Sequence, residues 1–323
     1  MIIESILVVV FAIVLDLTLG DPRSKYHPTF WIGKLIASMT PIVKNQSNTI
    51  EKLGGIGLVV AVTATVIVLL VLLDAGIDMI SIDYITLIIS IIVGSILLKT
   101  TIAIRGMEHH ALAVSKSLES NDIESARNNL AMIVKRNTKN LDKNHIISGV
   151  LESISENTVD GITGPLFYYG LFGLPGAFVY RAINTLDSMV GYKNSIFLDV
   201  GWFGATCDNV LNYIPSRLTG LLMILATAIL KNDWKNSYQI MMKDGTKTES
   251  PNAGIPMAAL AGALGTRFEK LEHYTLGDGN LDLTQKHIHS AISIMKLTSI
   301  LFCTIVTIPT IILLSYIGWW IHA

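Results

Sequence analysis

The chain has 323 residues, of which 51% are hydrophobic and only 15% are charged, with a formal net charge of -1. Soluble domains average about 25% charged residues, so this composition predicts one polytopic membrane protein rather than two soluble domains. The near-neutral total provides no basic surplus for a nucleic-acid partner.

Four apolar segments approach the roughly 20 residues that a helix needs to cross a bilayer. They are residues 2–19, 56–73, 84–98 and 297–317. Two shorter apolar runs, residues 165–179 and 218–230, are each predicted to be a tilted span, a re-entrant segment or a buried core helix. The predicted fold is all-α: a single polytopic membrane domain over residues 1–323 with helical loops on the cytoplasmic side.

Lysine and arginine predict the orientation of the chain. Residues 54–98 contain neither, and the connector 74–83 within them contains three aspartates. Because basic segments stay on the cytoplasmic side of a membrane, residues 20–53, 99–160 and 231–296 are predicted to be cytoplasmic. The region between the last two is then expected to cross the bilayer either twice or not at all.

The cytoplasmic segments are predicted to be helical. Residues 105–137 are expected to form two helices, with Asn121 and Glu124 at capping-box spacing before the second. A further helix is predicted over residues 142–158. No useful length of sequence alternates polar and apolar residues with period two, so no sheet is predicted.

The first polar cluster precedes a glycine-rich apolar run. On a helix, Glu152, Glu156 and Asp160 fall four residues apart and share one face, where like charges repel. A divalent cation such as Mg²⁺ would neutralise that face, because Mg²⁺ prefers oxygen ligands and usually bridges to a phosphate. The alternative is a solvated acidic face at a helix end, and spacing alone favours neither.

The second cluster lies in "YRAINTLDSMVGYK". Arg181, Asn184 and Asp187 recur every three residues and share one helix face. With Lys193, the arginine would suit an anionic ligand such as a phosphate. The alternative, favoured when the stretch is taken alone, is an internal salt bridge between Arg181 and Asp187.

The third cluster lies in "CDNVLNYIPSRLTG", where Asp208 and Asn212 share a helix face. Pro215 is expected to end or kink that helix before Arg217. The alternative role for Arg217 is to bind terminal helix carbonyls or lipid headgroups. A fourth stretch, "ESPNAGIPMAALAGALG", combines a polar turn containing Asn252 with small residues that permit close helix packing.

Five stretches occur in a fixed order along the chain: "DLTLGDPRSKYHPTFWIGK", "ENTVDGITGPLFYY", "PGAFVYRAINTLDSMVGYK", "DNVLNYIPSRLTG" and "SPNAGIPMAALAGALG". Together they resemble the cobinamide synthase family, the membrane proteins of cobalamin biosynthesis also called adenosylcobinamide-phosphate synthases. The resemblance extends from about residue 15 to about residue 279. It implies a multi-pass protein of the cell membrane with its active site facing the cytoplasm.

The resemblance implies an ATP-dependent ligase that forms an amide. Its substrates would be the free propionate carboxylate of adenosylcobyric acid and the amine of aminopropanol phosphate or a close relative. ATP and Mg²⁺ are implied, with an acyl phosphate as the intermediate. The phosphoryl charge of such a reaction must be neutralised by Mg²⁺ and by Arg or Lys.

The resemblance also suggests roles for particular residues. The candidates for holding Mg²⁺ and nucleotide phosphates are Glu156, Asp160 and Asp187. Those for neutralising phosphate are Arg181, Lys193 and Arg217. Those for binding and orienting substrate or nucleotide are Asn157, Asn184, Asp208, Asn212 and Asn252. Asp21 and His27 would complete the site, with His27 as a proton acceptor from the attacking amine.

The chain departs from the family pattern at three places. Lys135 to Asn137 stand where many members have Gly-Arg-Asp, and Asn209 stands where many have a second aspartate. A histidine common before the Ser-Pro-Asn turn is replaced by Thr248 or Glu249. These departures leave the preferred amine donor open.

Two other functions compete with the ligase. A corrinoid or metal transporter would place ionisable residues inside its spans, yet residues 56–73, 84–98 and 297–317 contain no Asp, Glu, Lys, Arg or His. A membrane scaffold would bind corrinoids without turning over ATP. The expected partners are the small substrates, the lipid bilayer and either other corrinoid-pathway enzymes or a second copy of the chain, with no nucleic acid.

Overall fold

The structure, a computed structural model, describes residues 2–20, 24–80 and 82–318. Its helices are α1 (Ile2–Leu19), α2 (Pro28–Val43), α3 (Asn48–Asp78), α4 (Asp83–Lys99), α5 (Ile104–Glu119), α6 (Ile123–Ala131), α7 (Lys143–Thr158), α8 (Gly164–Val190), α9 (Trp202–Ile229), α10 (Trp234–Asp244), α11 (Gly254–Ala263), α12 (Gln285–Phe302) and α13 (Ile308–Tyr316). Two short strands, β1 (Phe268–Lys270) and β2 (Tyr274–Leu276), lie between α11 and α12.

Six helical stretches in the described part of the chain are long and apolar enough to cross a membrane. They are Ile2–Leu19, Asn48–Asp78, Asp83–Glu119, Lys143–Val190, Trp202–Ile229 and Gln285–Tyr316. The predicted all-α polytopic fold is therefore confirmed. The ambiguous run 165–179 lies within the fourth of these stretches, and the run 218–230 lies within the fifth except for its last residue. Which of them cross the bilayer, and the sidedness of the loops, stay predictions.

The chain packs as two compact units. The first comprises Met1–Ile102, Gly164–Leu211 and Ile305–Ala323, and the second comprises Ala103–Thr163 and Asn212–Thr304. The chain passes from one unit to the other in the middle of α9. The single polytopic domain predicted for the whole chain stays a prediction.

The core of the first unit is formed by α2, α3 and α8. Ile36, Leu58, Val62, Ala182 and Leu186 are buried together in one apolar cluster. Inside a membrane such side chains hold helices together by close van der Waals packing. This cluster fixes α8 against α3 along the half of α8 that contains the predicted site residues.

Helix α8 is interrupted near its middle. Phe172 and Gly173 have non-helical backbone angles, with φ of −136° and 63° respectively, and Pro175 follows. The left-handed φ of Gly173 favours glycine, and Pro175 cannot donate a helical hydrogen bond. The apolar run 165–179 is thus a broken helix rather than one straight rod.

A buried ion pair joins α1 to α4 in the first unit. Asp16 Oδ1 lies 3.7 Å from Lys99 Nζ, and the two side chains are 0% and 7% exposed. The helices approach closely because Gly94 has no side chain: a Cβ there would lie 3.1 Å from Val8 Cγ2. Each of these charges is removed from water, and each is tolerated there because the opposite charge lies beside it.

The second unit contains the predicted soluble helices. The two helices predicted over residues 105–137 are α5 and α6, and the one predicted over residues 142–158 is α7. The predicted cap of α6 was wrong by one residue: Asp122, not Asn121, accepts a hydrogen bond from Ser125 N. Asn121 instead has a positive φ of 56°, which ends the preceding turn.

The small residues of α11 pack against α10, as the sequence predicted. Ser237 Oγ donates to Ala259 O at 2.7 Å, and Asn236 Nδ2 donates to Gly262 O at 2.8 Å. A Cβ at Gly262 would lie 2.6 Å from Asn236 O. Only a residue without a side chain lets the two helices come this close.

The strands were missed by the sequence prediction. β1 and β2 form an antiparallel hairpin in which Phe268 pairs with Leu276 and Lys270 with Tyr274. Each strand has three residues, which is too short to show a period of two. The hairpin docks on α7, where Ser148 Oγ accepts from Glu269 N at 2.8 Å.

Asp244 ties the end of α10 to the residue that follows β2. Its Oδ2 accepts from Gly277 N at 2.8 Å, and its Oδ1 lies 2.5 Å from Lys247 Nζ. Burial opposes ionisation, but Lys247 and the Gly277 N–H outweigh it and hold the pKa of Asp244 below its usual 3.8. The resulting stability is present above pH about 4 and is lost as pH falls through the lowered pKa.

We expect Asp244→Asn to lower the thermal midpoint of the detergent-solubilised protein at pH 7, because the amide cannot replace the ion pair. The loss should correspond to about 1 to 3 kcal/mol. The difference from wild type should shrink as pH is lowered from 5 towards 3, measured by scanning fluorimetry. Asp278→Asn, which removes an exposed partner of Lys243, is the control and should change little. A pH-independent difference would contradict the role of the Asp244 charge.

Candidate active site

The end of α7 has an unusual backbone. Regular α-helix stops at Thr158, and Val159–Thr163 form a π-helical turn that contains Asp160. Thr163 Oγ1 donates to Thr158 O at 3.0 Å, and Gly161 O accepts from Ala103 N at 2.9 Å. Such turns occur frequently at functional sites, where the extra residue redirects side chains. The α-helical spacing assumed for Asp160 therefore does not hold beyond Thr158.

The acidic face of α7 divides into a buried and an exposed part. Glu152 is 3% exposed and is neutralised by Arg136, whose Nη2 lies 2.8 Å from Glu152 Oε2. Tyr274 Oη and Ser148 Oγ also donate to this carboxylate, at 2.7 and 2.8 Å. Glu156, one turn later, is exposed. The alternative of a solvated acidic face is therefore wrong for Glu152, which is buried and paired with Arg136, whereas Glu156 is exposed.

Asn157 is held by its own helix. Its Nδ2 donates to Ser153 O at 2.9 Å and to Ser153 Oγ at 3.2 Å, and the residue is half-buried. This arrangement fixes the amide group, but nothing in it assigns a substrate. The predicted role of Asn157 in orienting substrate stays a prediction.

In the first unit, side chains of the second and third polar clusters of the sequence are hydrogen-bonded to each other. Arg181 Nη1 donates to Asn184 Oδ1 at 3.5 Å, and Asn184 Nδ2 donates to Asp208 Oδ1 at 3.3 Å. Asn184 is 7% exposed, whereas Arg181 and Asp208 are half-buried. A guanidinium, an amide and a carboxylate from two helices thereby form one hydrogen-bonded chain, which we call the Arg181 cluster. These groups suit an anionic ligand accompanied by a cation.

Asp187 lies almost two turns beyond Arg181 on α8. Gly191 N donates to Asp187 O at 2.9 Å, which closes the end of the helix. A Cβ at position 191 would overlap Asp187 Oδ1 and lie 2.6 Å from Asp187 O. The carboxylate of Asp187 therefore folds over Gly191, and its position depends on a residue without a side chain there.

In the second unit, Arg217 of the third polar cluster contacts Asn252 of the fourth stretch. Arg217 Nη1 donates to Asn252 Oδ1 at 3.1 Å and to Tyr213 O at 2.7 Å, and its guanidinium lies 3.5 Å from the centre of the Tyr213 ring. Asn212 and Asn252 are buried, at 3% and 4% exposed. Pro215 was expected to end or kink the helix; an end there was wrong, since α9 continues through Pro215 to Ile229, and a kink stays a prediction. Pro215 cannot donate to Leu211 O, and Tyr168 Oη donates to that carbonyl instead at 2.9 Å, so the group freed by the proline is satisfied.

The remaining predicted residues are placed as follows. His27 caps α2, because its Nδ1 accepts from Thr29 N at 3.2 Å. Lys193 is exposed and lies just beyond the end of α8. Asp21 lies outside the described residues. Proton acceptance by His27 and phosphate binding by Lys193 stay predictions.

A ready-made metal cage is not part of this site. Within residues 2–20, 24–80 and 82–318, no group of three or more His, Cys, Asp or Glu is placed to hold a metal ion. Mg²⁺ does not need one, because it is usually bound by one or two carboxylates together with waters and substrate phosphates. The carboxylate and amide oxygens of each unit fit a metal that arrives with a nucleotide. Ligation by Glu156, Asp160 and Asp187 stays a prediction.

The chain is similar to known proteins over most of its length. The profile of the CobD/Cbib protein family matches residues 9–295. The "Probable cobalamin biosynthesis protein CobD" of Methanothermobacter thermautotrophicus is 41% identical over 299 residues, which cover 93% of this chain and 96% of that protein. The protein with the same description from Methanocaldococcus jannaschii is 37% identical over 318 residues, covering 98% of each.

A bacterial relative is similar to the same extent. The "Cobalamin biosynthesis protein CobD" of Clostridium perfringens is 36% identical over 302 residues, which cover 91% of this chain and 94% of that protein. No solved structure matches the chain. Because the family profile covers most of the sequence and these relatives align over nearly their whole length, the chain belongs to the CobD/Cbib protein family.

Proposed function

We propose that this chain is an ATP-dependent amide synthase of cobalamin biosynthesis. It would join the free propionate carboxylate of adenosylcobyric acid to the amine of aminopropanol phosphate or a close relative. The observation that supports this most is the Arg181 cluster, where guanidinium, amide and carboxylate groups from two separate motifs are hydrogen-bonded. Its composition suits a phosphate and a divalent cation.

The proposed reaction has two steps. A carboxylate oxygen of the corrinoid attacks the γ-phosphorus of ATP, which forms an acyl phosphate and releases ADP. The amine nitrogen then attacks the acyl carbon, the carbon–oxygen bond to phosphate breaks, and the nitrogen loses a proton. Both steps require that negative phosphoryl oxygens be neutralised and that the reacting groups be held in line.

The residues of the first unit suit the phosphate part of this chemistry. Arg181 is held by Asn184, so its guanidinium is oriented before a ligand arrives. A preorganised cation stabilises developing charge better than a mobile one. Asp187 and Asp208 would hold Mg²⁺ there, and the ion would neutralise the transferred phosphoryl group when bound. His27 would accept the proton of the amine.

The residues of the second unit suit anion binding and substrate orientation. Arg217 contacts Asn252 and the Tyr213 ring, and these two contacts fix the orientation of its guanidinium group. Glu156 and Asp160 would bind Mg²⁺, and Asn157, Asn212 and Asn252 would orient polar groups of a substrate. Because the segments around these residues are rich in lysine and arginine, we propose that they face the cytoplasm from the cell membrane.

One assay tests the proposed function. Purified protein in detergent is incubated with adenosylcobyric acid, aminopropanol phosphate, ATP and Mg²⁺, and the corrinoids are analysed by mass spectrometry. We expect a product whose mass corresponds to one new amide, with phosphate release that requires both organic substrates. Corrinoid binding without an amide product would favour the scaffold, and uptake of corrinoid into proteoliposomes without a product would favour the transporter.

Gly191→Ala tests the position of the Asp187 carboxylate without replacing any charged residue. The added Cβ would overlap the Asp187 carboxylate and displace it. We expect kcat for amide formation to fall by about tenfold to a hundredfold, as for other small misplacements of reacting groups. Gly57→Ala is the matched control, because a Cβ there meets nothing within 4 Å on an exposed face of α3. Equal activity of the two variants would remove Asp187 from the site.

A further inference from the structure

Glu152 is the centre of a buried polar network in the second unit. Its Oε2 receives Tyr274 Oη at 2.7 Å and lies 2.8 Å from Arg136 Nη2, while its Oε1 receives Ser148 Oγ at 2.8 Å. Ser148 Oγ in turn accepts from Glu269 N at 2.8 Å. We call Arg136, Glu152 and Tyr274 the Glu152 network. It joins α7, the segment before α7 and the hairpin.

The geometry of the network is specific. Each carboxylate oxygen of Glu152 has a donor, so a charge that is almost fully removed from water is satisfied. Arg136 reaches the carboxylate across Gly149, where a Cβ would lie 3.3 Å from Arg136 Nη2. Burial and the negative charge of Glu152 raise the pKa of Tyr274, so its hydroxyl stays protonated as a donor.

The network lies directly before the residues assigned to the proposed reaction. Glu156 is one helical turn beyond Glu152 on α7, and the π-helical turn with Asp160 follows. The charge of Glu156 is close enough to act on the Tyr274 hydroxyl. Tyr274 Oη also lies 3.8 Å from Met257 Sδ on α11, the helix that begins just after Asn252. A change in the network therefore acts on the elements that present Glu156, Asp160 and Asn252.

We propose that Arg136, Glu152 and Tyr274 are positioning residues that hold the last turn of α7, and with it Glu156 and Asp160, in the orientation that binds the metal–nucleotide. The inference rests on the proposed function for its catalytic consequence. Glu152 itself does not touch substrate, because its oxygens are occupied by protein donors and it is buried. The network transmits the position of the hairpin to the carboxylates at the end of α7.

Tyr274→Phe tests the inference, because it removes one hydroxyl and keeps the ring. We expect kcat to fall by about tenfold to a hundredfold while KM for adenosylcobyric acid changes by less than about twofold. Mn²⁺, which also favours carboxylate oxygens, serves as a probe that needs no turnover. Its dissociation constant with ADP present, measured by electron paramagnetic resonance, should rise several-fold. Tyr238→Phe, which alters an exposed tyrosine of the same unit, should leave both quantities unchanged.

The outcomes separate the inference from the proposed function. If wild type forms no amide but Tyr274→Phe still weakens Mn²⁺ binding, the proposed function fails and the positioning role stands. Wild-type kcat and Mn²⁺ affinity in a folded Tyr274→Phe protein would overturn the inference, as would wild-type protein that binds no Mn²⁺. If Tyr274→Phe does not fold, Arg136→Lys replaces it. That variant keeps the charge but loses the planar fork, and unchanged kcat and Mn²⁺ affinity would again overturn the inference.

Discussion

Asp160→Asn is expected to lower kcat for amide formation by about a hundredfold to a thousandfold, the usual cost of removing one preorganised electrostatic group. Asparagine keeps the size and shape of the side chain and exchanges one carboxylate oxygen for an NH₂ group, so the π-helical turn should still form. The lost negative charge would weaken the binding of Mg²⁺ with its nucleotide. The measurement is initial rate at saturating corrinoid and amine, with the thermal midpoint recorded for each preparation.

Asp282→Asn is the matched control for this variant. Asp282 is an exposed aspartate of the same unit and lies in the turn before α12. It should retain wild-type turnover, so a loss confined to Asp160→Asn identifies a local requirement for that carboxylate. Wild-type turnover in Asp160→Asn would return Asp160 to a structural role.

The largest effect on stability is expected from Lys99→Met, which removes the lysine that pairs with buried Asp16. Breaking one side of a buried ion pair typically costs about 3 to 5 kcal/mol, because the other charge stays in a medium of low dielectric constant. Replacing both residues, as Asp16→Leu with Lys99→Met, should recover much of that loss. The measurement is the free energy of unfolding, or the thermal midpoint, of the protein in one detergent.

Lys52→Met is the control, since Lys52 pairs with Asp199 at 3.5 Å but is 52% exposed. Exposed pairs contribute at most about 1 kcal/mol, so this variant should be nearly as stable as wild type. If Lys99→Met costs no more than Lys52→Met, or if the double variant is less stable than Lys99→Met alone, the buried pair is not a stabilising contact between α1 and α4.

Much of the fold follows from apolar length and charge distribution. The runs 2–19 and 84–98 almost coincide with α1 and α4, because a long apolar stretch with few or no charged residues has few structures other than a helix. The hairpin was missed because its strands have three residues each. The break at Gly173 was also missed, since a glycine in an apolar run signals either a break or close packing, and spacing does not distinguish them.

The candidate site was predicted in part. The order of the motifs led to Arg217 and Asn252, which contact each other across 35 residues. The Glu152 network could not be predicted, because Tyr274 meets Glu152 across 122 residues and lies outside the motifs. The sequence did signal that the acidic face of α7 needed neutralising. The identity of the neutralising group, Arg136, depends on tertiary packing and cannot be predicted from local residue spacing.

The proposed acyl-phosphate route is tested most directly with adenosylcobyric acid labelled with ¹⁸O in both oxygens of its free carboxylate. The protein is incubated with this corrinoid, aminopropanol phosphate, ATP and Mg²⁺, and the products are analysed by mass spectrometry. We expect the new amide to keep one labelled oxygen and the released phosphate to contain the other, because phosphate leaves with the oxygen that attacked ATP. Amide product accompanied by unlabelled phosphate would contradict the acyl-phosphate route, and the absence of any amide would contradict the proposed function itself.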